Sequence, residues 1–174
     1  DFDRNKVAYS LNDEDIENEY LFKIVYLGSI RLVNDVQQII DALSLLSDYK
    51  DICLFIYGNG DQRKRLVKYC EDREISNVVF KQECIPLSHV PYVMSHSNLN
   101  ILNYQKGFGD YGISSGKLFQ SLAAGKPIVC NVNIAYDDII TDNQLGIAGG
   151  LNTPRKYADA ILKIYHLDKE NYDR

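Results

Sequence analysis

Nothing in this 174-residue sequence approaches the roughly 20 consecutive apolar residues that a helix needs to cross a bilayer. Its first twenty residues are acidic and polar where a secretory signal would be basic and then apolar, so a soluble, cytoplasmic chain is expected. Long basic blocks are missing too, and with a formal net charge of −5 the chain has little long-range attraction for a phosphate backbone. Nucleic acid is therefore not an expected partner. Cysteines are few: Cys53, Cys70, Cys84 and Cys130 form no CxxC pair and no cluster with histidine, so neither a zinc site nor a disulfide framework is indicated. Buried, reduced thiols are the expectation. His89, His96 and His166 have no Ser, Cys or Asp partner at a recognisable spacing and read as surface or helix-end residues. Low-complexity tracts are also absent.

What is present is an alternation of two hydrophobic periods. The apolar run Phe22 to Leu27 ends at Gly28, and Val33, Val36, Ile39, Ile40, Leu43 and Leu46 then recur at helical spacing. The unit repeats: Ile52 to Tyr57 ends in Gly58-Asn59-Gly60-Asp61, and a charged segment from Gln62 to Glu74 carries Leu66, Val67, Cys70 and Ile75. Further strands are expected at Asn77 to Phe80, Leu99 to Leu102, Ile128 to Asn131 and Gly146 to Ala148. Helices are expected near Leu87 to Ser95, Leu118 to Ala124 and Pro154 to Tyr165, with Asp137 and Asp138 starting another. Nearly continuous apolar strands alternating with amphipathic helices indicate an α/β fold, a doubly wound, Rossmann-like parallel sheet of about six strands covered on both faces. Ligands of such sheets sit at the carboxyl ends of the strands, so the loops after Leu27, Tyr57, Phe80 and Leu102 are where chemistry is expected. The acidic stretch over residues 1–20 reads as an interdomain linker, leaving 21–174 as one domain.

The strongest local signal is the segment Tyr111 to Pro127. Ser114 or Ser115 can cap the helix, Gly116 lets a ligand approach the backbone, and the first amides of the helix point outward unpaired. A phosphate there would meet free N–H groups, the helix dipole and the charge of Lys117. The same residues also fit a plain capped helix with a solvated lysine.

The run Lys117-Leu-Phe-Gln-Ser-Leu-Ala-Ala-Gly-Lys-Pro127 resembles a stretch of retaining GT-B glycosyltransferases of family 4, above all those that build bacterial capsule, exopolysaccharide and O-antigen chains. Val25 to Arg31 with Asn34, Ile56 to Asp61, Asn77 to Phe80, and Ile134 to Ile140 with Gly146 agree in order and spacing. The resemblance implies the C-terminal half of a GT-B fold, holding a nucleoside diphosphate sugar, most readily a UDP-sugar. The acceptor, a glycan or lipid-linked oligosaccharide at the inner membrane face, would be met through an N-terminal domain outside this chain. Carried over, Gly28 and Ser29 line the phosphates, Arg31 and Lys117 are the catalytic cations, and Ser114, Ser115 and Gly116 supply the helix start. Gln120 faces the ribose, and the loop Gln82 to Ile85, with Cys84 and Ile85, passes the base. No metal or other cofactor is implied. Departures are visible: many members have glutamates at the positions of Gly112 and Gln120, and an arginine and a lysine at those of Ser29 and Asn34. Half of a UDP-sugar 2-epimerase and a non-catalytic nucleotide- or partner-binding domain remain alternatives.

Overall fold

The structure, a computed structural model, describes residues 11, 13–105, 107, 116–131 and 137–167, with the side chains of 137 and 138 left out. In chain order the elements are α1 (Glu14–Glu17), β1 (Phe22–Leu27), α2 (Val36–Ser44), β2 (Ile52–Tyr57), α3 (Arg63–Asp72), β3 (Val78–Phe80), α4 (Val90–Ser95), β4 (Leu99–Leu102), α5 (Gly116–Ala124), β5 (Ile128–Cys130), α6 (Asp137–Ile140), β6 (Gly146–Ala148) and α7 (Pro154–Tyr165). Short 3-10 turns at Leu32–Asn34 and Leu87–His89 precede α2 and α4.

The strands form one parallel sheet in the order β3-β2-β1-β4-β5-β6. Chain order reverses direction between β1 and β4, the kind of switch point beside which parallel sheets of this class hold their ligands. Period-two side-chain alternation divides the strands between two layers. Ile24, Tyr26, Leu54, Ile56 and Ile101 face α2, α3 and α7, whose Ile39, Ile40, Leu43, Leu66, Tyr157 and Ile161 cover them. Val25, Phe55 and Tyr57 face the other way, against Ile16 of α1 and Val90, Val93 and Met94 of α4. A smaller cluster joins Leu118 of α5 to Leu102, Ile128 and Cys130. Burying a side chain such as Ile or Leu contributes about 1.5–3 kcal/mol, and both faces of the central strands are buried.

Part of the acidic N-terminal stretch is packed structure. Asp13 caps α1, and Ile16 is fully buried. Asp13 also accepts from Tyr57 Oη at 2.9 Å and pairs with Lys81 Nζ at 2.6 Å, while Asp15 holds the same ammonium at 2.5 Å. Tyr92 Oη donates to Glu17 at 2.5 Å, and the buried Lys23 donates to the Ile16 carbonyl at 3.0 Å. Among the described residues, no helix is long and apolar enough to cross a membrane.

One expectation about the cysteines is corrected. Cys70 and Cys130 are buried and Cys53 is half-buried, but Cys84 is exposed because it lies in the loop beyond the carboxyl end of β3 and not in a strand.

Candidate functional site

At the carboxyl end of β1 the chain turns through Gly28, whose φ of +153° belongs to the region glycine favours. Its N–H continues the ladder to the Tyr57 carbonyl at 2.9 Å. The turn is crowded from two sides. A Cβ on Gly58 would stand 1.9 Å from the Gly28 carbonyl oxygen, and a Cβ on Gly28 would stand 2.2 Å from Lys117 Cε and 2.5 Å from its Nζ. The Lys117 side chain, from the first turn of α5, thus lies directly across the Gly28 backbone.

There the ammonium meets Tyr26. Lys117 Nζ is 3.2 Å from Tyr26 Oη and 5.0 Å from the centroid of its ring. Burial pushes the Lys117 ammonium down to about 8. Burial also pushes the Tyr26 phenol well up, so it keeps its proton throughout the physiological range. Tyr26 Oη donates that proton to the Ser29 carbonyl at 2.7 Å.

Ser29 and Asn34 satisfy each other, Ser29 Oγ donating to Asn34 Oδ1 at 3.0 Å. Neither carries charge, and Asn34 is buried. Arg31, which immediately precedes the 3-10 turn, is exposed. Among the described residues, nothing lies within 4 Å of a Cβ placed on Gly116, the first residue of α5, and Gln120 is half-exposed one turn on. Ser114, Ser115 and Gly112 lie outside the described residues.

The loop after β3 is pinned by Arg63, which donates to the carbonyls of Gly58 at 2.8 Å and Lys81 at 2.7 Å and stacks on Phe80 at 5.3 Å. Glu83 in that loop accepts from Asn59 at 2.8 Å. Cys84 is exposed, whereas Ile85 is half-buried against the α1 and α4 layer. The structure therefore brings Gly28, Ser29 and Lys117 together at the mouth of β1, and leaves Cys84 and Ile85 on the loop beyond β3. His96 and His166 sit at the carboxyl ends of α4 and α7.

Three residues escaped the sequence reading. Tyr26 was hidden inside an apolar run, although a phenol one residue before the end of a strand is a usable signal. Asn103, just after β4, is buried and donates from Nδ2 to the Asp35 carbonyl at 2.8 Å, tying β4 to the start of α2. Its position at a strand's carboxyl end was its only mark. Arg63 is one of four cations in α3, and nothing in its spacing marks it out.

Comparison with known proteins adds the following. The model of the family described as glycosyl transferases group 1 matches residues 12–174. An uncharacterized glycosyltransferase of Methanocaldococcus jannaschii is 26% identical over 144 residues, covering 82% of this chain and 36% of that protein. The chain thus spans about a third of the length of this curated relative. Among solved structures, the C-terminal domain of a glycosyl transferase group 1 family protein (LpcC) from Francisella tularensis superposes with a TM-score of 0.73 at 17% identity, over 96% of this chain and 89% of that one. A mutant of S. aureus TarM, in complex with fondaparinux, α-GlcNAc-glycerol and UDP, gives 0.73 at 17% identity, over 88% of this chain and 30% of that one.

Proposed function

This chain belongs to the glycosyl transferases group 1 family, and from that premise we propose that it is the donor-binding domain of a retaining GT-B enzyme of family 4. The donor is a nucleoside diphosphate sugar, most readily a UDP-sugar. The observation that carries this reading is the Lys117 ammonium held over Gly28, at the switch point between β1 and β4 and beside the start of α5. A diphosphate lying along that turn meets a cation whose water has been partly stripped away and a helix N-terminus aimed at it. The same reading suits TarM, a neighbour in fold whose structure holds UDP.

Cleavage of the sugar–phosphate bond builds negative charge on the departing diphosphate. Cations fixed beforehand stabilise that charge more in the transition state than in the bound donor, which is how they accelerate the step. Lys117 has this role, with Arg31, exposed on the loop after β1, as a second charge. Gly28, Ser29, Ser114, Ser115 and Gly116 line the diphosphate. Gln120 hydrogen-bonds the ribose, and the segment through Cys84 and Ile85 runs beside the base. No metal is required for this scheme. The acceptor, a glycan or lipid-linked oligosaccharide of surface polysaccharide synthesis at the cytoplasmic membrane face, is met through another domain, so this chain alone binds donor without turning it over. The uncharged Ser29–Asn34 pair and the neutral Gln120 favour, as a second reading, a domain that binds a nucleotide without catalysis.

Calorimetry of this chain against UDP, GDP and ADP tests the proposal. UDP should bind, and Arg31→Ala and Lys117→Ala should each weaken it by about 1–3 kcal/mol, the usual size for a charge-assisted contact. Unchanged affinity in both variants would refute the assigned cations.

A further inference from the structure

The hydroxyl of Tyr26 is out of place in its surroundings. The side chain is fully buried in the layer packed by α2 and α7, where a phenylalanine would fill nearly the same volume without a polar atom. A phenol has one proton to give, and here it goes to the Ser29 carbonyl at 2.7 Å. The oxygen lone pairs are left as acceptors, and the group that reaches them is Lys117 Nζ at 3.2 Å. Directionality is thereby settled: the ammonium donates and the phenol accepts. With the Tyr26 ring 5.0 Å away and the Gly28 backbone beneath its stem, the end of the lysine is contacted on several sides.

Lysine ordinarily keeps its charge on a flexible four-carbon stem that loses rotamer freedom whenever it is fixed. A charge that must meet a ligand in one place gains from being fixed beforehand. The Ser29 hydroxyl is committed to Asn34 Oδ1 and neither residue brings charge to the turn, so more of the task falls on Lys117.

We propose that Tyr26 is the positioning residue of the donor site: its hydroxyl, its own proton committed to the Ser29 carbonyl, holds the Lys117 ammonium over Gly28 where a diphosphate would lie. The inference rests on the donor-binding reading given above. It makes affinity for the diphosphate a property of the Tyr26–Lys117 pair. Among the described residues, the titratable groups of this cluster are Tyr26 of β1, Tyr104 after β4, Tyr157 of α7, Cys130 of β5 and Asp35 before α2. Burial pushes the Tyr26 and Tyr157 phenols up and the Lys117 ammonium down to about 8, so of these three it is the lysine that titrates near pH 8.

The test is UDP titration by calorimetry between about pH 6.5 and 9.5, for the parent chain, Tyr26→Phe, Gly28→Ala and Lys117→Arg, each checked for folding by thermal denaturation. In the parent, affinity should fall as pH rises through the range near 8 where Lys117 loses its proton. Tyr26→Phe removes an acceptor that favours the ammonium. It should weaken UDP about fivefold or more at pH 7 and move the midpoint down by about 0.5–1 pH unit. Gly28→Ala displaces the same ammonium by a different route and should also weaken UDP. Lys117→Arg keeps its charge and should flatten the pH profile. A Tyr26→Phe variant with the parent's affinity and midpoint overturns the inference, and so does a loss equal at every pH with the midpoint unmoved. NMR titration of the lysine side chain without nucleotide separates the two layers of argument. A parent that binds no UDP while Tyr26→Phe still lowers the Lys117 midpoint overturns the donor reading and leaves the positioning contact standing. An unmoved midpoint overturns the contact.

Discussion

Replacing Lys117 by methionine should make the protein more stable while weakening its hold on UDP. Burial lowers the Lys117 ammonium from an ordinary 10.5 to about 8. A lysine whose folded value lies below its unfolded one opposes folding, because the unfolded chain holds the proton more tightly. The opposition is present in full below about pH 8, shrinks as pH rises and is gone above about 10.5. A difference of that size corresponds to about 3 kcal/mol at pH 7. Methionine keeps an unbranched stem across Gly28 and leaves the bond from Tyr26 to the Ser29 carbonyl intact. Lys117→Met is therefore expected to raise the unfolding free energy at pH 7 by about 2–3 kcal/mol, and to give little gain near pH 10. Urea unfolding followed by circular dichroism at both pH values measures this. A variant that is no more stable at pH 7, or whose gain is the same at both, would show that the lysine carries no desolvation cost. Stability given up at a site is expected where a charge is kept for a ligand.

Two further predictions concern the scaffold. Burial alone would push the Asp13 carboxyl up, but the bonds from Lys81 and Tyr57 outweigh it and hold it below 3.8. Its stabilisation is thus present above that value and lost as pH falls through the folded one. Asp13→Asn should cost about 1–3 kcal/mol at pH 7, with Asp15 still holding Lys81, and should flatten the acid limb of a thermal denaturation series. Gly58→Ala would drive a Cβ to 1.9 Å from the Gly28 carbonyl at a φ of +137°, so a loss of about 2–4 kcal/mol is expected in urea unfolding.

The fold was legible because its strands declare themselves: Phe22–Leu27, Ile52–Tyr57 and Leu99–Leu102 run with the bounds that their apolar continuity and flanking breakers indicate. Asp137 does start a short helix. What escaped was α1, whose four residues hold one apolar side chain, Ile16, and so show no period to read. Its place is fixed by tertiary bonds from Tyr57, Lys81 and Tyr92. The candidate site was legible only in parts. Glycine after a strand and lysine at a helix start are local signals, and Gly28 and Lys117 do meet. Their meeting point is Tyr26, whose role depends on where its hydroxyl points, and neither composition nor spacing encodes that. The Ser29–Asn34 bond was invisible for the same reason. Ser114 and Ser115 lie outside the described residues.

The order of the strands has a consequence for how the chain assembles. Ile24 of β1 pairs with Leu54 on one side and with Leu99 on the other, and the second partner lies much farther along the chain. Closing the larger loop costs more chain entropy, and pairings between distant segments form slowly. The half built from β1, β2 and β3 can therefore gather before the half built from β4, β5 and β6 docks onto it. The seam where the halves join is the pairing of β1 with β4, bridged by Asn103 reaching to the backbone of Asp35 and by Lys117 reaching to Tyr26. The junction beside the proposed donor site is thus expected to be the last of the sheet to be completed, and a molecule bound there would act as a clasp on folding itself.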